Sequence, residues 1–271
     1  MRMDKEIICV RGAGDLATGV IQKLCRSGYR VYATEIAAPM TIRRHVALST
    51  AIADGEYTVE DITARKVEGS LDALSSCWEE GVVPVIIDPE ALSIRATKPL
   101  AIVDAIIAKR NLGTNKAMAP ITIGLGPGFS APDDVDIVIE TVRGHQLGQL
   151  IFAGEALPNT GTPGIIAGQG ATRVIHAPIS GAVKHLAKIG DWLTKGQPIF
   201  QIGNEIGKAP FDGLLRGLIG EGMEVKKGLK LADIDPRQLS AEEINSISDK
   251  ARNLGGAVLE ALLYLQQNKE L

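Results

Sequence analysis

The sequence predicts an α/β chain: a parallel-sheet domain of the nucleotide-binding type, a β-strand segment built from two copies of one pattern, and a closing helix. Three observations predict it. The apolar run Glu6–Val10 leads directly into Gly12-Ala13-Gly14-Asp15-Leu16-Ala17. Residues 177–202 and 209–234 align without a gap at an offset of 32, with eight identities: Ala177/Ala209, Pro178/Pro210, Gly181/Gly213, Leu186/Leu218, Gly190/Gly222, Lys195/Lys227, Gly196/Gly228 and Ile202/Ile234. Residues 240–267 carry an apolar stripe at helical spacing. The 271 residues are 45% hydrophobic, enough for one large domain or two ordinary ones. With 4% aromatics and 30 glycines, Ala, Val, Ile and Leu fill the core and tight turns are frequent.

The N-terminal elements follow from local pattern. Glu6–Val10 reads as a buried parallel strand. The G-x-G-x-x-A turn opens a helix through Ile21, Leu24 and Cys25 that stops at Gly28, and Arg30–Ile36 is the next strand. Glu35 falls 21 residues after Gly14, the interval of a ribose-binding acid. In this Rossmann-like arrangement Gly12 allows the tight turn, Gly14 admits a pyrophosphate, and Ala17 lets helix pack on strand. Together with Leu16, these residues frame a helix N-terminus whose N–H groups and dipole suit phosphate. A turn that binds nothing is the alternative. Asp15 repels phosphate unless it caps the helix, points away or contacts a sugar.

Residues 46–67 read as a hairpin turning at Asp54-Gly55, residues 71–80 as a helix, and residues 82–87 as a strand ending at Asp88. The apolar run 100–108 carries Asp104 and is followed by Lys109 and Arg110. Strand ends bind ligands in open α/β sheets, so Asp88, Asp104 and Lys109 are site candidates or ordinary strand-end caps. Gly124, Gly126 and Gly128 alternate after another strand, either cradling an anion or reversing the chain. Residues 136–142 read as a strand that delivers Glu140 and Thr141. Arg143-Gly144-His145 forms a turn before a strand over residues 147–152, and residues 158–164 form a dense turn.

Ser240-x-x-Glu243 is a capping box. The helix it opens carries Ile244, Ile247, Ala251, Leu254, Val258, Leu262 and Leu265. It is expected to dock on the N-terminal domain or on a second copy of the chain, which leaves a homo-oligomer open. Gly255-Gly256 either interrupts it or permits close packing. The domains are therefore 1–112, a Rossmann-like nucleotide-binding domain; 113–174, a β-rich middle segment; 175–236, the repeat; and 237–271, the terminal helix.

Several classes are excluded. The net charge is −3 and no basic run is present, so nucleic-acid binding by charge is not expected. No apolar run is long enough to cross a membrane. The three cysteines show no C-x-x-C spacing, which argues against zinc or a disulfide framework and for a reducing cytoplasm. Neither a Tyr-x-x-x-Lys pair nor a catalytic His–Asp pair at family spacing is found, so no catalytic residue is assigned.

The repeat resembles the biotinyl and lipoyl carrier domains, a sandwich of two interlocked copies. Their modified lysine sits in a Met-Lys-Met-like triplet between the copies. Here the connector is Gly203-Asn204-Glu205-Ile206-Gly207-Lys208, without that triplet, so no covalent biotin or lipoate is expected. Along the whole chain, V-R-G-A-G-D-L-A-T-G, T-E-I-A-x-P-x-x-I-R-R, D-A-I-I-A-K-R-N, G-L-G-P-G-F, E-T-x-R-G-H-x-L-G and P-N-T-G-x-P-G occur in order. This series resembles the YqeB-type accessory proteins of selenium-dependent molybdenum hydroxylases, and the first domain is similar to that of XdhC-type maturation factors. Asp15 stands where XdhC-type proteins often have His, and their Cys-rich segment is absent. The resemblance implies maturation of a molybdenum hydroxylase apoenzyme, the expected partner. The implied cofactor is a molybdopterin dinucleotide or another dinucleotide. Gly12, Gly14 and the helix N-terminus would hold its pyrophosphate and Glu35 a ribose. Arg43, Arg44, Lys109, Arg110 and Arg143 would meet remaining anionic groups, and His145 is a further candidate. A nicotinamide- or flavin-dependent oxidoreductase and a non-catalytic scaffold remain alternatives.

Overall fold

The computed structural model describes residues 6–159, 161 and 168–269. The chain divides into two compact units. The larger comprises Met1–Pro39, Ala47–Asn159 and Ile247–Leu271, and the smaller Met40–Val46 and Thr160–Ser246. This division places residues 113–159 and the last helix with the N-terminal domain, and it moves a seven-residue segment into the repeat-bearing unit.

The larger unit begins with β1 (Ile7–Arg11), α1 (Asp15–Arg26) and β2 (Arg30–Glu35). Then come α2 (Ala51–Asp54), β3 (Glu56–Val59), β4 (Ile62–Lys66), α3 (Leu71–Glu79), β5 (Val83–Ile87), α4 (Ile94–Thr97) and β6 (Ala101–Asp104). It continues with β7 (Ile121–Leu125), β8 (Ser130–Ala131), β9 (Ile137–Ile139), β10 (Leu150–Ile151) and β11 (Gly154–Glu155). Nine strands form one sheet in the order β10-β9-β7-β6-β1-β2-β5-β4-β3. The inner strands are parallel, and each edge closes with an antiparallel partner. The run β5-β2-β1-β6-β7-β9 follows the 3-2-1-4-5-6 order of doubly wound dinucleotide-binding sheets, which places the topological switch point between β1 and β6. One departure is that β6 reaches β7 through a loop and a single 3-10 turn, Lys116–Met118.

Several sequence expectations move. Asp54-Gly55 ends α2 instead of turning a hairpin, and Gly55 takes φ +84°, a positive angle that favours glycine. The hairpin is β3–β4, turning at Glu60-Asp61. The strands expected over 100–108 and 136–142 shorten to β6 and β9, where the Asp104 and Glu140 carboxylates accept from the backbone that follows, and the one expected over 147–152 shortens to β10. Most of the turn expected at 158–164 lies outside the described residues.

The smaller unit contains β12 (Val174–His176), β13 (Gly181–Ala182), β14 (Lys184–His185), β15 (Trp192–Leu193) and β16 (Pro198–Ile202). It continues with β17 (Glu205–Lys208), β18 (Gly213–Leu218), β19 (Glu224–Val225), β20 (Lys230–Asp235) and α5 (Ala241–Ile244). The repeat governs its pairing. Trp192 pairs Leu214 and Leu193 pairs Gly213, while Glu224 pairs Ala182 and Val225 pairs Gly181. These are the same pairs with the two copies exchanged. The same exchange relates β12–β20 to β17–β16: Val174↔Asp233 becomes Ile206↔Gln201, and Ile175↔Ala232 becomes Gly207↔Phe200. Each copy thus lends a strand to the other, and both share a core that includes Leu193, Ile199, Phe200, Leu215, Val225 and Ile234. The interior stays filled because a large–small pair is inverted between copies. Phe200 occupies the space over Gly207, where Ala232 is opposed by Ile175. Residues 203–208 are not a free connector: Gly203-Asn204 is a two-residue turn with Gly203 at φ +56°, and the remainder is β17. Met40–Val46 joins this unit because Ile42 packs on its core and its carbonyl accepts from Leu218 N at 2.8 Å.

The chain returns to the larger unit as α6 (Asp249–Asn268). The single helix expected from Ser240 is two helices. Ser240 and Glu243 form the capping box of α5, and Ser248 caps α6 by accepting from Ala251 N. Arg252 Nη1 donates to Gln22 and Tyr29 Oη to Gln266, so α6 runs alongside α1 in the same sense. Small residues allow the approach. A Cβ on Gly19 would lie 2.4 Å from Ala251 O, and one on Gly255 2.5 Å from Gly19 O.

Candidate functional site

At the carboxyl edge of the larger sheet, successive loops touch in a closed circuit. Glu35, at the end of β2, accepts from Ala13 N at 3.0 Å. Gly12, at φ +92°, abuts the exit of β6, where its Cβ would lie 3.2 Å from Ala105 O and Ile106 N. The loop after β6 passes over Gly128, whose Cβ would meet Arg110 Cα at 2.5 Å. Gly126 is equally close to Thr141, at 2.7 Å from Oγ1. Arg143, beyond β9, pairs with Asp249 in the first turn of α6 at 2.9 Å, and α6 lies against α1 at Gly19, which closes the circuit.

Under this ring lies a buried ion pair. Arg11 and Asp104 are register partners on β1 and β6, 1% and 2% exposed. Arg11 Nη1 lies 3.4 Å from Asp104 Oδ2, Thr114 Oγ1 donates to the same oxygen at 2.6 Å, and Arg11 Nη2 donates to Pro89 O at 2.8 Å. Burial raises the Asp104 pKa above the ordinary carboxylate range, against the pull of Thr114 and Arg11. Removing one partner of such a pair typically costs about 3–5 kcal/mol, because the other charge remains buried. The pair therefore reads as the floor of the site, and Asp104 belongs to that floor.

The remaining candidates take distinct places. Gly14, Asp15 and Leu16 at the start of α1 are partly exposed, whereas Ala13 and Ala17 are buried. Gly14 is the N-cap and brings no side chain to the helix terminus. Ser49 N donates to Ala13 O at 2.7 Å and Leu48 N to Thr18 Oγ1 at 3.0 Å, so residues 48–49 brace this loop. Glu35 is half-buried; burial raises its pKa, and hydrogen bonds from Ile36 N and Ala13 N draw it back. Asp88 caps the turn after β5 by accepting from Leu92 N and Ser93 N. The Gly124–Gly128 loop is shaped by its protein neighbours, since Phe129, Thr141 and Arg110 occupy the space where Cβ atoms would stand. Lys109 is exposed at φ +63° beside Ile107 at φ +58°, a conformation that is rare for a β-branched residue. Arg143 makes a bidentate pair with Asp249 at 2.9 and 3.1 Å, and His145 is exposed in the following turn. Arg43 and Arg44 belong to the smaller unit, where Arg44 Nε donates to Leu218 O at 2.8 Å.

Lys250 was not singled out in the sequence; it stands in the first turn of α6, next to Asp249. It is half-buried, and burial lowers its pKa, as does Arg143, against Asp15, Glu140 and Asp249. Among the described residues, none of the hydrogen bonds or ion pairs engages its Nζ. A lysine in the first turn of a helix opposes the dipole, and that was the available signal. Cys9 is fully buried, and burial pushes its thiol up to about 12, so it is no nucleophile. Among the described residues, no group of three His, Cys, Asp or Glu side chains is placed to hold a metal ion. No helix among them is long and apolar enough to cross a membrane.

Strand order and glycine turn together define the class: a mixed α/β protein with a large, mostly parallel sheet. No family model matches the chain. Its sequence is 48% identical over 260 residues to the uncharacterized protein YqeB of Escherichia coli (strain K12), an alignment covering 96% of this chain and 48% of YqeB. The chain is thus a homologue of YqeB and spans about half of that protein's length. Solved structures align only loosely. An aspartoacylase family protein from Mesorhizobium loti is 10% identical with a TM-score of 0.28, over 87% of this chain and 86% of that one. A succinylglutamate desuccinylase/aspartoacylase from Rhodobacter sphaeroides is 11% identical with a TM-score of 0.29, over 86% of both chains. The ectoine utilization protein EutE (DoeB) from Ruegeria pomeroyi is 11% identical with a TM-score of 0.23, over 84% of this chain and 57% of that one. Likeness at these scores supports no inference.

Proposed function

We propose that this chain is an accessory protein that binds a dinucleotide cofactor at the carboxyl edge of its large sheet, in the maturation of a selenium-dependent molybdenum hydroxylase. The observation that carries the binding is the placement of the partly exposed Gly14-Asp15-Leu16 turn at the β1/β6 switch point, where doubly wound sheets take their ligands. The maturation role rests on the ordered series of motifs shared with YqeB-type accessory proteins. The repeat-bearing unit, with its exchanged strand pairs, supports a carrier-like sandwich that lacks the modified lysine and docks the target enzyme.

The residues fit a dinucleotide in chemical kind. Gly14 brings no side chain to the α1 N-terminus, which offers N–H groups, and Lys250 in the first turn of α6 adds positive charge. Glu35 lies beside the same loop, where an acid meets ribose hydroxyls. A bound molybdopterin dinucleotide would bring its own metal chemistry; the chain's residues bind, orient and shield it. No reaction is assigned to the chain.

Mass spectrometry of small molecules released from protein purified from its native host tests this reading. A pterin dinucleotide is expected. Recovery of a nicotinamide or flavin dinucleotide would favour an oxidoreductase, and recovery of none would leave a scaffold. Gly14→Val is expected to weaken dinucleotide binding more than about tenfold, or 1.4 kcal/mol, with the protein still folded. In the host it should leave the hydroxylase made but inactive. Normal hydroxylase activity with binding abolished would refute the link between site and role.

A further inference from the structure

The amino-terminal end of the large sheet, opposite the Gly12–Gly14 turn, holds a hollow of about 580 Å³. Its origin lies in the crossover. A connection between parallel strands is usually a helix that covers the sheet. Between β6 and β7 the chain forms only the 3-10 turn Lys116–Met118, and the hollow lies between that turn and α4. Its apolar wall includes Ile94 of α4, Leu100 before β6, Met118 of the turn and Pro120 before β7. Ile94 and Met118 also pack against the core cluster that contains Tyr32 and Ile102, so this wall is the margin of the domain's core. The two strand starts are tied together, with Ile121 N donating to Leu100 O at 3.1 Å, which fixes that side of the hollow.

The charge around the hollow has one sign. Arg95 in α4 and Lys98, which ends that helix at φ +42°, line it, and among the described residues no Asp or Glu does. Both cations are exposed. The amide of Asn115, also in the lining, is already engaged: Oδ1 accepts from Ala117 N at 3.0 Å and Nδ2 donates to Gly113 O at 3.1 Å. We propose that this hollow binds a small amphipathic carboxylate, its apolar body against Leu100 and Met118 and its charge against Arg95 and Lys98. The volume falls within the range of about 300–1,000 Å³ common to small-molecule sites. The two halves of the lining ask for both properties in one molecule. A bare anion leaves the apolar wall wet, and a neutral apolar compound gives the cations no counter-charge. None of the lining residues belongs to the circuit at the carboxyl edge, so the proposal stands apart from the dinucleotide reading.

Titration calorimetry of the intact chain with octanoate and naphthoate, each beside its neutral primary amide, tests the assignment. At least one carboxylate should bind, and more tightly than its amide by about threefold to thirtyfold, the range of two exposed ion contacts. Along butyrate, hexanoate and octanoate, each methylene should tighten binding by up to about fourfold. Two variants locate the site. Ala117→Phe places a ring at an exposed position of the lining and should lower carboxylate affinity about tenfold or more. Arg95→Gln combined with Lys98→Gln removes the charge from two exposed side chains and should bring the carboxylate down to the affinity of its amide. Gly14→Val should leave carboxylate binding unchanged. A protein that binds neither carboxylate, that binds acid and amide alike, or that keeps its carboxylate affinity in Ala117→Phe would overturn the proposal.

Discussion

Two adjacent glycines in α6 should respond with opposite sign to the same substitution. In a helix interior, Gly→Ala gains about 1 kcal/mol from reduced backbone entropy. At Gly256 nothing lies within 4 Å of the new Cβ, so Gly256→Ala should stabilise by that amount or slightly less. At Gly255 the Cβ would lie 2.5 Å from Gly19 O, 3.0 Å from Gly19 C and 3.1 Å from Lys23 Cβ. The first two are backbone atoms of a packed helix and cannot swing aside. Ordinary contact begins near 3.4 Å, so α1 and α6 must separate by somewhat under roughly 1 Å. Overpacking of this kind costs about 1–3 kcal/mol, which exceeds the propensity gain over most of that range. The two variants should differ by about 1–3 kcal/mol. Trp78 belongs to the larger unit and Trp192 to the smaller, so urea unfolding followed by fluorescence in a Trp192→Phe background reports the larger unit alone. A Gly255→Ala protein as stable as Gly256→Ala would refute the claim that the helices meet through missing side chains.

Other outcomes follow from the same geometry. Glu35 binds its proton more firmly in the folded protein, so its contribution to stability is lost as pH rises from the ordinary value near 4.5 through its raised folded value. Glu35→Gln should flatten the stability–pH curve in that window, with Asp104 leaving a residual slope of the same sign, as read by urea midpoints at stepped pH. Gly207→Ala should destabilise the smaller unit by about 1–3 kcal/mol, because the new Cβ would collide with the Phe200 ring, and Phe200→Leu should recover part of the loss in the double variant. Coexpression with biotin and lipoate ligases should add no mass to the intact chain, since Lys208 lies on β17, paired opposite Pro198, and not in a projecting turn; modification at Lys208 would overturn the reading of the repeat.

The parts of this molecule that were legible in the sequence are those whose signals are local or repeated. The β1–Gly12–α1–β2 unit announces itself within thirty residues because turn, helix start and acid have fixed spacing. The repeat marks the smaller unit because equal sequence at a constant offset requires equal pairing. What escaped depends on contacts distant in sequence. Gly19 and Gly255 look like weak helix positions until each is seen against the other helix. Ile42 reads as part of the first domain, yet its side chain packs on the core that contains Leu218. Arg11 and Asp104 stand 93 positions apart, and their pairing emerges only from the register of β1 on β6. Lys250 was hidden for a similar reason, because the charges it feels come from two other places in the chain, Asp15 and the segment Glu140–Arg143.

The larger unit is discontinuous, and this has a consequence for synthesis. A ribosome has made every strand of the nine-stranded sheet by Ile151, but the helix that covers α1 begins almost a hundred residues later. In that interval the repeat-bearing unit is completed, so it is the domain free to finish first, although all but residues 40–46 of it is made second. The nascent N-terminal domain waits with the α1 surface around Gly19 uncovered and without Lys250. A transcript truncated before Asp249 would therefore yield a chain whose larger unit is incomplete, even though both glycines of the Gly12–Gly14 turn are present.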